Sequence, residues 1–102
     1  MIAQQPPATG SLRHGKTATA TGGTAILDAI QQGSAPRLWL CLSNADTTNG
    51  IYIRFDSQSA AEGLYLSPGA AILLTWPHVP QTEIRATAAA GTPALAWIEG
   101  RA

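Results

Sequence analysis

"RLWLCLSNADTTNGIYIRFD", residues 37–56, holds two bursts of alternating apolar residues joined by a polar, Asn-rich connection. In the first burst Leu38, Leu40 and Leu42 share one parity, with Trp39, Cys41 and Ser43 on the other. In the second, Ile51, Ile53 and Phe55 oppose Tyr52, Arg54 and Asp56. A period of two places alternate side chains on opposite faces of a strand, so each burst reads as a strand with one aliphatic and one mixed face. Asn, Asp and Gly tolerate the left-handed backbone of tight connections, so "NADTTNG" between the bursts predicts a hairpin.

The same pattern extends outward. "KTATATG" from Lys16 alternates Thr and Ala, and Gly22-Gly23 interrupts it. "TAILDAI" is ambiguous, because Ile26, Leu27 and Ile30 also fit one helical turn; it is read as strand. "GLYLSPGAAILLTWP" predicts a short strand, a type II turn at Pro68-Gly69, and a strand with Ile72, Leu74 and Trp76 on one face. The two prolines of "PHVP" end that strand. "TEIRATAAAGTPALAWIEG" predicts two last strands around Gly91-Thr92-Pro93, with Leu95 and Trp97 alternating against Ala96 and Ile98. Seven or eight short strands punctuated by Gly/Pro turns predict an all-β domain, a single antiparallel β-sandwich of jelly-roll or Ig-like type, over residues 16–102. Pro6, Pro7, Gly10 and Gly15 make residues 1–15 an extended N-terminal arm in this reading.

Composition narrows the function classes. The chain has 102 residues, enough for one modest core, and only 12% are charged, six basic and six acidic. Phosphate binding needs a clustered excess of Lys and Arg, so nucleic acid is not an expected partner. No stretch reaches the roughly 18 apolar residues that span a bilayer, and "MIAQQPPATG" lacks the parts of a signal peptide, so no membrane association is expected. A surface so sparsely charged does little to keep copies apart, which points to coverage by copies of itself or by a partner.

Candidate chemistry is thin. Cys41 is the single cysteine, excludes an internal disulfide, and reads as a reduced core thiol. His14 and His78 have no ligand-spaced companions, so no metal is expected. Cys41 and Ser43 sit within a strand rather than on an exposed turn, against a nucleophilic triad. Asp46 and Asp56 read as solvated loop or strand-end residues, and the Gly doublets lack a phosphate-cradling pattern. No catalytic residue, cofactor or metal ligand is expected. Trp76 and Trp97 read as core, whereas Trp39, opposite the leucines, is the best candidate for covering a second surface. The candidate partner-binding set is Gln4, Gln5, Pro6, Pro7, Arg13, His14 and Lys16 of the arm, together with Arg37, Trp39, Tyr52 and Arg54.

The order of these motifs resembles that of small virion proteins of tailed bacteriophages. The shared pattern is Arg37 before an alternating strand ending in Asn44; then Ile51, Tyr52, Ile53 and Phe55; then Leu66, Pro68 and Gly69. It continues through Ile84, Ala86, Ala88, Gly91 and Thr92 to Glu99 and Gly100. The resemblance implies a β-sandwich module with a structural role and no catalysis, located in the virion after synthesis in the host cytoplasm. The expected function is that of a capsid decoration (cement) protein. Its partners would be the major capsid protein and copies of itself, a trimer before a dimer, with the arm ordering on an adjacent subunit. The alternative is a tail, fibre or spike component that recognises a glycan or host receptor, with Trp39 and Tyr52 stacking on sugar rings. The lack of polar residues clustered about those aromatics in the sequence counts against it.

Overall fold

The computed structural model describes residues 10–55 and 63–102. Eight strands follow in order: β1 (Ser11–Ala18), β2 (Thr24–Leu27), β3 (Arg37–Asn44), β4 (Ile51–Phe55), β5 (Leu64–Leu66), β6 (Ala71–Thr75), β7 (Ile84–Ala88) and β8 (Ala94–Arg101). They form two four-stranded sheets, β1-β8-β3-β6 and β2-β7-β4-β5. Every pairing is antiparallel. First pairs with last, second with seventh, third with sixth and fourth with fifth, which is a long hairpin rolled over on itself. This strand order makes the sandwich a jelly roll rather than an Ig-like fold.

The core lies between the sheets. Leu40 and Leu42 of β3 and Leu95 of β8 meet Ile51, Ile53, Ile84 and Ala86 of the other sheet, all fully buried. Leu27, Leu66 and Val79 complete the cluster, and Ile72, Leu74 and Trp97 pack against it half-buried. The aliphatic parity of each strand thus supplies the inner layer of its sheet.

Three expectations are corrected. The 37–56 stretch is no hairpin: β3 and β4 belong to opposite sheets, and so do β5 and β6 on either side of Pro68-Gly69, and β7 and β8 on either side of Gly91. The turn chemistry is as read, since Ala70 N donates to Ser67 O at 2.9 Å and Gly69 has φ +79°. Turn residues specify a reversal, whereas long-range pairing decides which sheet the next strand joins. The arm is also shorter than expected. Residues 11–15 belong to β1, whose register runs from Ser11 opposite Arg101 to Ala18 opposite Ala94. Gly15 is not a flexible joint there but a flat seat: a Cβ on it would lie 2.6 Å from the Trp97 ring. The rest of the arm, with Gln4, Gln5, Pro6 and Pro7, lies outside the described residues, as does Asp56.

The third correction is Arg37. Strict alternation puts it on the outer parity with Trp39 and Cys41, yet its side chain is fully buried. The β3–β8 register slips here, pairing Arg37 with Arg101 but Trp39 with Gly100, so two residues of β3 span one of β8. Such a bulge turns Arg37 and Leu38 to the same buried side. Arg37 Nε donates to Glu99 Oε2 at 2.6 Å, and its other nitrogens reach the carbonyls of Pro80, Thr82 and Asp28. Gln81 clasps the Arg37 backbone from both sides, accepting from its N at 2.7 Å and donating to its O at 2.8 Å. Burying two charges costs several kcal/mol per ion, a cost that the guanidinium's bonds to Glu99 Oε2 and to three backbone carbonyls offset.

Asn44 holds the opposite end of β3. Its amide nitrogen donates to the carbonyls of Asn49 and Leu66, and its side-chain oxygen accepts from Asp46 N. Its backbone exchanges bonds with Gly69 and Ala70, joining the β3–β4 corner to the β5–β6 turn. Asp46 then accepts from the backbone of Asn49 at 2.6 Å and of Thr48 at 3.2 Å. Those donors, Asn49 first, hold its carboxyl below the ordinary carboxylate range.

Removing one member of the buried pair strands the other, so Arg37→Ala and Glu99→Ala should each lower unfolding free energy by about 3–5 kcal/mol in denaturant titrations. Replacing both, as Arg37→Met with Glu99→Leu, should cost less than either. For Asp46 the folded pKa lies below the unfolded value near 3.9. Its contribution is therefore full above that pH and is lost as pH falls through the folded value. Asp46→Ala should reduce stability at neutral pH and flatten the acid limb of a stability-versus-pH curve.

Candidate interaction faces

The two outer faces of the sandwich differ in chemistry. On the β1-β8-β3-β6 sheet the register aligns His14, Ile98, Cys41 and Leu73 in one cross-strand row. The adjacent rows are Leu12, Gly100, Trp39 and Thr75 on one side, and Lys16, Ala96, Ser43 and Ala71 on the other. Leu12 is 64% exposed, Leu73 61% and Ile98 44%. Trp39 lies flat on Gly100, where its indole occupies the space a Cβ would need. Leu12, Trp39, Ile98 and Leu73 thus form an apolar surface spread over all four strands. Lys16 and His14, both at the β1 edge, are the ionisable side chains flanking it, and these three rows contain no carboxylate.

The sequence candidates divide as follows. His14, Lys16 and Trp39 share this face. Tyr52 and Arg54 lie on the outer face of the other sheet, so Trp39 and Tyr52 do not form one sugar platform. Arg13 points inward at the open side of the sandwich, 3.8 Å from Glu99. Arg37 is withdrawn from the candidates by its burial. Cys41 is half-buried on the outer face rather than in the core. His14 is two strands from it, about 10 Å at the usual strand spacing, too far for proton transfer between them. Among the described residues no cluster of three or more His, Cys, Asp or Glu gathers.

Sequence reasoning missed Leu12, Leu73 and Ile98. The signal was present for two of them: Leu73 and Ile98 are large aliphatics on the parity opposite Ile72, Leu74 and Trp97. Leu12 was hidden inside the presumed arm.

A recess of about 270 Å³ opens between edge strands β1 and β2, walled by Arg13, Trp97, Glu99 and Arg101 on one side and residues 25–31 on the other. Glu99 Oε1 and Trp97 Nε1, both shielded from solvent, have no hydrogen-bond partner there. Arg13, 57% exposed, covers the carboxylate from beyond hydrogen-bond reach.

No protein-family model, curated protein or solved structure matches this chain.

Trp39 on Gly100 is the hinge of the apolar face. Gly100→Ala should lift the indole, costing about 1–3 kcal/mol of stability and raising Trp39 exposure, read by denaturation and by fluorescence quenching.

Proposed function

We propose that this protein is a bacteriophage virion structural component of the capsid decoration type. It docks through the outer face of the β1-β8-β3-β6 sheet onto the major capsid protein lattice and onto copies of itself. The observation that carries the reading is the exposure of Leu12, Leu73 and Ile98 around Trp39, in rows of one sheet face that hold no carboxylate among the described residues. Full burial of a Leu or Ile contributes about 1.5–3 kcal/mol, so covering the exposed parts of three adds a few kcal/mol per copy. Many copies on one lattice act together, and modest contacts then reinforce a shell through avidity. A homotrimer over a lattice junction suits the role, with Lys16 and His14 at the rim of each contact.

The residues that carry the resemblance to phage virion proteins are largely those that hold this fold. Arg37 and Glu99 form the buried pair, Asn44 and Pro68-Gly69 make the corners, and Gly100 seats Trp39. The resemblance therefore supports a shared architecture, and the apolar face supports its use as a clamp.

The test is attachment. Heads assembled without this protein should rupture at lower temperature and under milder osmotic shock than complete heads, and added protein should restore them. Leu73→Asp with Ile98→Asp should leave the fold intact while weakening attachment at least about a hundredfold. Equal robustness of heads with and without the protein would overturn the proposal.

A further inference from the structure

The recess between edge strands β1 and β2 is walled by two buried polar atoms that the fold leaves unmatched. Glu99 is 1% exposed, and its two carboxylate oxygens have different surroundings. Oε2 accepts from Arg37, which takes no part in the recess wall. Oε1 faces Arg13, which does line the recess and whose Nη1 stays 3.8 Å away, beyond hydrogen-bond reach. Trp97 stands two residues back on β8, on the same side of the sheet and about 7 Å along the strand. The ring edge that carries its Nε1 lies over Gly15 of β1, with Nε1 3.0 Å from where a Cβ would be. Oε1 and Nε1 are both buried, and neither has a hydrogen-bond partner among the described residues.

Desolvating a donor and an acceptor without bonding them costs free energy, so the pair favours an occupant that supplies the missing bonds. A hydroxyl group answers both atoms, because it donates and accepts. An ammonium group has no acceptor for Nε1, and an anion has no donor for Oε1. Charge favours a neutral occupant as well: Arg13, Arg101, Asp28 and Glu99 line the recess, two of each sign. Size sets the upper limit. At about 270 Å³ the recess has room for far more than one water, yet falls short of the roughly 300–1,000 Å³ pockets of drug-sized ligands. Ile26 adds an aliphatic patch to the wall for carbon atoms.

We propose that the recess binds a single neutral sugar or polyol, one hydroxyl donating to Glu99 Oε1 and one hydroxyl oxygen accepting from Trp97 Nε1–H. Arg13 is the gate. It is 57% exposed and its approach to Oε1 is its one polar contact among the described residues, so it swings aside to admit the ligand and then donates to the outer hydroxyls. The recess opens at the β1–β2 side of the sandwich rather than on either outer face, so the proposal does not depend on lattice docking.

Titration of the full, isotope-labelled chain with glucose, ethylammonium and acetate tests it, read at the indole N–H resonance of Trp97. Glucose should move that resonance saturably, at concentrations at least about tenfold lower than either ion, and leave the indoles of Trp39 and Trp76 in place. Trp97→Phe keeps a ring and loses the donor, and should weaken glucose binding about tenfold, followed at the Ile26 methyl groups. In the unmutated protein, nuclear Overhauser contacts should join glucose C–H protons to the Trp97 ring and to Ile26, which keeps the test valid where the variant fails to fold. Either ion binding as tightly as glucose overturns the proposal, as does unchanged glucose binding by folded Trp97→Phe. So do contacts to Trp39 instead, or a Trp97 resonance that none of the three probes moves, which makes the recess a pocket for water alone.

Discussion

A buried ion pair governs the geometry of one end of the sandwich. Arg37 and Glu99 lie on adjacent strands, β3 and β8, and the guanidinium also collects carbonyls from the β6–β7 connection and from the end of β2. Four segments distant in sequence are thereby held to one planar group. A charge at that depth tolerates little displacement, since each lost hydrogen bond leaves a desolvated donor or acceptor. The β3–β8 register and its bulge follow from that constraint. From that register follow the rows of side chains on the outer face.

At the other end, Asn44 does with a neutral amide what Arg37 does with a charge. Its side chain and backbone bridge the β3–β4 corner and the β5–β6 turn, two places where the chain crosses between sheets. β3 is thus pinned at both ends, with Leu40 and Leu42 buried between. Pinning β3 at both ends sets the register that aligns the rows of side chains on the outer face of its sheet.

The two faces have unlike chemistry for a reason visible in the strands. Outer positions of β3, β6 and β8 include Trp39, Cys41, Leu73 and Ile98, whereas those of β4 and β7 include Tyr52, Arg54, Arg85 and Thr87. The apolar face has glycine beneath its tryptophan, and the polar face has glycines beneath Tyr65 and Arg54. In each case a missing Cβ lets a large side chain lie down on the sheet. Cross-strand pairing brings Tyr65 of β5 and Thr87 of β7 beside Tyr52 from distant positions in the chain.

By itself, the sequence determined that this chain is built of short strands, where they reverse, and which aliphatic parity of β3 and β4 faces the core. Those properties are local: a period of two, a Pro-Gly turn and an Asn-rich corner act within a few residues. Only the tertiary structure decided which strands pair, that the reversals at 44–51, 66–71 and 88–94 cross between sheets, and that residues 11–15 join an edge strand. It also decided the fate of Arg37, because a single extra residue in one strand reverses the face on which a side chain emerges. Such a bulge is a property of two paired strands, and no alternation within one strand can reveal it.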